Sequence, residues 1–385
     1  MAVGVTPRGQ KLMLWRHLDV VLVVAVVLIG AFGCLMVYTA TRDSLQAAGL
    51  SPKYYVQKQI VFMLIGLVVM GIVAAIDYRK YRDWAVVIYG GCVLMLLAVY
   101  AIGDRSRGAQ AWFQVGSYQL EPSEFAKVGL IVGLASYIAA SKGKLSAKGL
   151  LIVLVLAAIP FVLIYKQPDL GSALVLAAVL VAVLLIGGAS GRHLLALAGI
   201  AAVLTFGVVH FGILKSYQQA RLTSFVNTPD QPNASLLATN AGANEYNLAQ
   251  SKVAIGDGGI TGKGIGKGTQ TNLAYVPEQR TDFIFTAVGE QVGLIGSGIL
   301  LALFALVVWR TWRAATLSKD LLGTLICVGV LAMIMFQVFE NIGMTMGIMP
   351  VAGIPLPWMS YGGSAVIATF AAVGLVLNVR MRRFT

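Results

Sequence analysis

The chain has 385 residues, of which 58% are hydrophobic and only 12% charged, and its formal net charge is +13. A soluble domain carries about a quarter charged residues, so the composition excludes a soluble globular protein and points to a membrane. The basic balance suggests nucleic acid, but most cations lie in short loops between apolar runs, which is a topology signal; no nucleic-acid partner is expected.

Arg8, Lys11 and Arg16 precede the run LDVVLVVAVVLIGAFGCLMVYTA, which is long enough to cross a bilayer and too long for a signal-peptide core, so an uncleaved first span is expected. Counting this run, apolar windows of spanning length fall near 18–40, 57–76, 84–102, 122–141, 149–166, 170–188, 192–213, 283–309, 321–345 and 361–380. The expectation is an all-α polytopic membrane protein of ten transmembrane helices. It forms a single membrane-embedded domain over 1–385, with tails 1–17 and 381–385. Between the fifth and sixth windows stands KQPDLG, where Pro168 breaks the helix and Gly171 permits a tight return. Cys34, Cys92 and Cys327 lie inside apolar runs and read as small buried hydrophobes; His17, His193 and His210 are scattered, so no zinc site is expected.

Orientation follows from Lys and Arg. The N-terminal tail, the loops holding Arg79, Lys80, Arg82, then Lys142, Lys144, Lys148, then Arg192, then Arg310, Arg313, Lys319, and the tail with Arg380, Arg382, Arg383 carry sixteen cations on one side. That side is expected to be cytoplasmic, with both termini. The opposite loops hold fewer: Arg42, Lys53, Lys58, Arg105, Arg107 and Lys166. On that outer face the connection 214–281 is long enough to be functional. Within it NEYNLAQSKVAIG reads as a helix along the membrane surface, followed by a glycine-dense run.

Four polar clusters interrupt the apolar pattern. In EPSEFAK, Pro122 is suited to the first helical position, which sets Glu121, Glu124 and Lys127 along one stripe and lets Glu124 pair with Lys127. The bland alternative is an ion pair tying helices together. In RTDFIFTAVGEQ, Arg280 and Asp282 mark the entry of the eighth span and Glu290 lies two turns deeper. Their helical spacing sets Asp282, Thr286 and Glu290 on one face, and an ionisable group inside a membrane is functional by default; for Asp282 the competing reading is helix capping. In FQVFENIGMTMG, Gln337, Glu340, Asn341 and Thr345 form a polar stripe, with interhelical hydrogen bonding as the alternative. GDGGITGKGIGKGTQ fits neither phosphate-loop pattern, yet its amides with Lys263 and Lys267 could cradle the diphosphate of a lipid carrier. Carboxylates and a cation beside a long outer loop suit a substrate with a lipid tail and an anionic head.

Five stretches carry a family likeness in order: GAQAWFQVGSYQLEPSEFAK (108–127), KQPDLGSALV (166–175), NLAQSKVAIGDGGITGKGIGKGTQ (247–270), YVPEQRTDFIFTAVGEQVGLIG (275–296) and NIGMTMGIMPVAGIPLPWMSYGGSA (341–365). The chain resembles the SEDS family (shape, elongation, division and sporulation), and the last stretch looks more like its elongation branch than its division branch. The family often has Arg at 111, Gln at 121 and His at 280, where this chain has Ala111, Glu121 and Arg280. The resemblance implies a peptidoglycan glycosyltransferase in the bacterial inner membrane that polymerises lipid II. It places the essential carboxylate on Asp282 and the family's Glu–Lys pair on Glu124 and Lys127.

The expected reaction joins one lipid-linked disaccharide to an undecaprenyl-diphosphate-linked glycan. Asp282 acts as general base or as ligand of a divalent cation (Mg or Mn), Lys127 meets the diphosphate, and Glu124 orients Lys127. Arg280 is expected beside Asp282. Lys263, Lys267, Arg280, Glu290, Glu340 and Asn341 are expected to contact substrate. The resemblance also implies a class B penicillin-binding protein as partner. A lipid II flippase and a scaffold for that transpeptidase are the competing classes.

Overall fold

The computed structural model describes residues 17–106, 109–116, 118–141, 145–210 and 240–383. The N-terminal cations Arg8, Lys11 and Arg16, the loop cations Arg107, Lys142 and Lys144, and loop residues 214–239 lie outside the described residues.

A helix occupies each of the ten predicted windows. In the first half of the chain these are α1 Val20–Ala47, α2 Tyr54–Ala75, then after the short α3 Tyr78–Asp83, α4 Ala85–Ile102, α5 Pro122–Ala140, α6 Ala147–Lys166, α7 Leu170–Ile186 and α8 Gly191–His210. The outer connection contributes α9 Asn240–Gly258 and the short α10 Thr269–Asn272, and the last three windows hold α11 Ile284–Thr316, α12 Leu321–Met346 and α13 Gly363–Met381. Among the described residues eight helices are long and apolar enough to cross a membrane; Leu170–Ile186 is shorter, at 17 residues. Continuous apolar runs make the helices, and isolated polar residues punctuate them. Asp19, Ser146, Asp169 and Asp320 each accept a hydrogen bond from a backbone N–H of the following first turn, satisfying donors that the helix itself cannot.

Polar contacts sort the helix ends into two opposite sets. At one end Asp19, before α1, meets Arg310 near the end of α11 and Arg380 near the end of α13. Tyr78 donates to Asp320 there at 3.0 Å, and Asn378 accepts from the Tyr78 N–H at 2.9 Å. At the other end Gln59 donates to the Ser360 carbonyl at 3.0 Å, and the Glu121 N–H to the Ser364 hydroxyl at 2.8 Å. This is the alternation of ends that the loop cations require.

Three local expectations change. The strands β1 Asp104–Ser106, β2 Ala109–Val115 and β3 Tyr118–Leu120 form a three-stranded antiparallel sheet, and the other described elements are helices. Phe113 pairs with Leu120 and Val115 with Tyr118. The stretch NEYNLAQSKVAIG is helical, within α9, but it packs against α11 and α12 with Asn247, Leu248, Ser251 and Ala254 buried, and so belongs to the helical body. Gly171 lies inside α7, where a Cβ would stand 2.9 Å from the Ala352 carbonyl oxygen and 2.5 Å from Ile354 Cγ1. Its role is close approach to residues 352–354, and Asp169 starts the helix.

Candidate active site

Pro122 opens α5 at its first position, as its fixed φ favours. One turn on, Lys127 Nζ donates to Glu124 Oε1 at 2.7 Å, with side-chain exposures of 1% and 3%. Burying both charges is costly unless they are paired, and here they are. Just before the helix, the Glu121 carboxylate accepts from Trp112 Nε1 of β2 at 3.2 Å and from the Ser123 hydroxyl at 2.9 Å. Burial pushes the Glu121 carboxyl up to about 8, with repulsion from Asp169 and Glu124 adding to the rise and Lys127 and Ser123 opposing it.

Asp169 is the functional candidate that sequence reasoning missed, because in KQPDLG it reads as punctuation. One of its oxygens caps α7 through the Ser172 N–H at 2.9 Å. The other, Oδ2, is buried and accepts no hydrogen bond from the described residues. The signal was an aspartate flanked by two spanning windows, where a carboxylate has few structural excuses.

Asp282 stands two residues before α11 begins at Ile284, and Phe283 occupies the cap position. The expectation that Asp282, Thr286 and Glu290 share a helical face is corrected, because the helix does not reach Asp282. Asp282 is half-buried, and its turn is fixed by its neighbours. Asn341 Nδ2 donates to the carbonyls of Asp282 and Ile354, both at 2.7 Å. The Ser360 hydroxyl donates to the Thr281 carbonyl at 2.6 Å, and the Tyr361 N–H to the Arg280 carbonyl at 2.9 Å. Gly353, with φ 73°, lies against the carboxylate: a Cβ there would stand 3.3 Å from Asp282 Oδ2. The segment 350–361 therefore lines Asp282 on one side and, through Ala352 and Ile354, abuts α7 beside Asp169 on the other. It joins the Asp282 turn to the Glu121, Glu124, Lys127 and Asp169 group.

Other candidates are held elsewhere. Glu290 is fully buried and accepts from the N–H groups of Gln270 and Thr271 at 2.7 and 2.8 Å and from the Thr271 hydroxyl at 2.5 Å. It thus caps α10, a structural task sequence reasoning did not give it. Thr286 shares a 2.6 Å hydrogen bond with Ser251 of α9. Arg280 holds its guanidinium 4.5 Å from the centre of the Tyr55 ring. Glu340 is buried on α12 with Oε2 accepting no hydrogen bond from the described residues, and Asn341 is the clamp on the Asp282 turn.

The glycine run, expected to cradle a diphosphate, packs against the start of α11. Several of its amides make contacts within the chain: Lys263 N–H donates to the Glu290 carbonyl, Gly264 to the Gln291 carbonyl, Gly266 to the Gln291 side chain and Lys267 to the Gly264 carbonyl. Lys263 Nζ pairs with Asp257, while Lys267 is exposed. The glycines serve backbone contact, since a Cβ on Gly262 would collide with Gln291 and one on Gly293 with Gly262.

Among the described residues no group of three or more His, Cys, Asp or Glu side chains stands ready to hold a metal ion. A Mg²⁺ ion needs only one or two protein carboxylates when substrate phosphates complete its shell, and Asp282 is a carboxylate of that kind.

A multi-pass helical membrane protein with buried carboxylates, a buried lysine and a half-buried aspartate gathered at one end is the class these features define. Residues 19–384 match the FtsW, RodA and SpoVE family of cell cycle proteins, and the chain belongs to that family, the SEDS family. It is 35% identical over 383 residues to the peptidoglycan glycosyltransferase MrdB of Escherichia coli K12, covering 98% of each chain. It is also 35% identical over 369 residues to the probable peptidoglycan glycosyltransferase FtsW of Geobacter metallireducens, covering 94% and 95%. Among solved structures it resembles the rod shape determining protein RodA of Thermus thermophilus, with a TM-score of 0.70 at 28% identity over 96% of this chain and 98% of that one. It also resembles a chain from a peptidoglycan synthase complex described as coordinating polymerization and crosslinking, with a TM-score of 0.79 at 30% identity over 96% and 99%.

Proposed function

We propose that the chain is a peptidoglycan glycosyltransferase that polymerises lipid II, acting in the elongation branch of its family. The observation that carries the reading is the placement of Asp282: a carboxylate held against Gly353 at the same end as the buried Glu124–Lys127 pair.

The 4-hydroxyl of one lipid-linked disaccharide attacks the anomeric carbon of the growing glycan. The new C–O bond forms as the bond from that carbon to the diphosphate oxygen breaks, and the electron pair leaves with undecaprenyl diphosphate. Asp282 takes the hydroxyl proton, which requires it to stand within hydrogen-bond reach of the acceptor. Lys127 offsets charge on the departing diphosphate, an interaction strongest in the transition state. Glu124 keeps Lys127 charged and aimed. A divalent cation bound by Asp282 and the phosphates would supply further charge stabilisation.

Ten membrane crossings, both termini in the cytoplasm and a site on the outer face of the bacterial inner membrane complete the proposal. The alternating cations and the two opposite sets of helix-end contacts support it. A class B penicillin-binding protein would crosslink the strands made. The test is purified chain with lipid II supplied from the outer side and Mg²⁺, with products resolved by size. Glycan ladders are expected; lipid II recovered only as monomer, with or without the transpeptidase, would overturn the reading.

A further inference from the structure

Where α2 begins, at the end of the molecule that holds the candidate site, five aromatic rings form one connected group. Between ring centres Tyr54 and Tyr55 stand 5.1 Å apart, Tyr55 and Tyr361 5.0 Å, Phe62 and Tyr361 6.4 Å, and Phe62 and Tyr118 of β3 5.6 Å, each pair edge to face. Lys58 closes the circle, with Nζ 4.4 Å from the centre of the Tyr54 ring and 5.2 Å from that of Tyr118. Phe62 is buried, while Tyr54 and Tyr118 are 42% and 43% exposed. The group is tied to the Asp282 turn, because the Tyr361 N–H donates to the Arg280 carbonyl at 2.9 Å. Arg280 in turn lays its guanidinium over Tyr55, 4.5 Å from the ring centre. Its Nε is buried and has no acceptor among the described residues.

A membrane-interface belt asks only for tyrosines spread around the molecule at headgroup depth. It does not ask for rings locked edge to face from two helix ends and a strand, nor for an arginine set among them with a buried donor unused. A buried N–H without an acceptor is costly, and a guanidinium matches the two oxygens of a carboxylate. A pyranose has an apolar C–H face that packs on a flat ring and a polar rim that bonds to hydroxyls, and tyrosine offers both surfaces. We propose that this shelf holds the glycan strand beside the transfer site, with sugar rings on Tyr54 and Tyr118 and a carboxylate of a peptide side chain on Arg280. The inference rests on the polymerase reading and adds to it a place for the strand and a residue that selects for its acidic side chains.

The test measures binding of two soluble, lipid-free hexamers to the full chain in detergent by titration calorimetry. One alternates N-acetylglucosamine with peptide-bearing N-acetylmuramic acid; the other is N-acetylglucosamine alone, which carries no carboxylate. Wild type is expected to bind the peptide-bearing hexamer more tightly. Arg280→Gln is expected to weaken that hexamer about tenfold and to bind the neutral one as wild type does. Tyr54→Leu with Tyr118→Leu is expected to weaken both hexamers about tenfold. Melting temperatures are read on the same samples, and if the tyrosine double variant melts lower, Tyr54→Leu alone is read, with about a threefold weakening of both expected. No binding of either hexamer to wild type, or unchanged binding in the tyrosine variant read, would make the rings a membrane belt only and overturn the shelf. Equal loss of both hexamers in Arg280→Gln would overturn the carboxylate assignment. Neither probe is lipid-linked, so hexamer binding by a chain that makes no glycan from lipid II would count against the polymerase reading and not against the shelf.

Discussion

Lys127 is 1% exposed in a helix that opens with Pro122, and its Nζ is 2.7 Å from Glu124. Removing one partner of such a pair strands the other, at a typical cost of about 3–5 kcal/mol, whereas replacing both with neutral groups of similar size is often nearly neutral. Lys127→Ala is therefore expected to lower both melting temperature and polymerisation. Lys127→Met with Glu124→Gln is expected to recover most of the stability while activity stays lost, since no charge remains for the diphosphate. Normal polymerisation by the double variant would make the pair a structural tie only. Glu121 next door gives a pH signature. Its carboxyl titrates near 8 in the folded chain against an ordinary 4.5, so between those values the folded state holds a proton that the unfolded state has released. That stabilisation is fully present below 4.5 and is lost as pH rises through about 8. Glu121→Gln should flatten the fall in melting temperature that wild type shows over this window; a variant with the same slope as wild type would contradict the assignment.

The glycine run shows what one element does to another. Between Gly258 and Gly264 the chain lies against the start of α11: Leu294 N–H donates to the Gly259 carbonyl and Ile295 N–H to Ile260, both at 3.0 Å. These contacts coincide with the break in α11 at Gly293, whose φ is 64° and ψ −162°. Glu290 fixes the far side by capping α10. Gly293→Ala adds a Cβ that meets the Gly262 amide nitrogen, in a backbone region that suits glycine. It is expected to cost more than about 1 kcal/mol, read as a fall in melting temperature; an unchanged melt would show that the break tolerates a side chain. The apolar windows are legible because a spanning helix is written in consecutive residues. The sheet over 104–120 is not, since its strands are of three to seven residues. The contacts of the glycine run are not legible, because its partners, Glu290 and Gln291, lie more than about twenty residues away in sequence.

At the scale of the whole molecule, alternating cations indicate two unlike ends, and the structure puts Asp19, Arg310 and Arg380 together at one and Glu121, Ser364, Gln59 and Ser360 together at the other. The Glu124–Lys127 pair is legible from its i, i+3 spacing. That Asp282 joins the same neighbourhood is not, because the join runs through Gly171 against Ala352 and Gly353 against Asp282, contacts between segments far apart in sequence. Asp169 enters the group by the same route. In the proposed mechanism the Asp282 carboxylate performs the transfer, as base or as cation ligand, while its turn is held by Asn341, Ser360 and Tyr361 through backbone carbonyls that a side-chain change leaves untouched. The most direct measurement is lipid II polymerisation by purified Asp282→Asn beside wild type, with melting temperatures recorded on the same samples. The expected result is loss of glycan product with a melting temperature nearly that of wild type, since the substitution keeps shape and removes only charge and basicity. Wild-type amounts of glycan from the Asp282→Asn variant would contradict it.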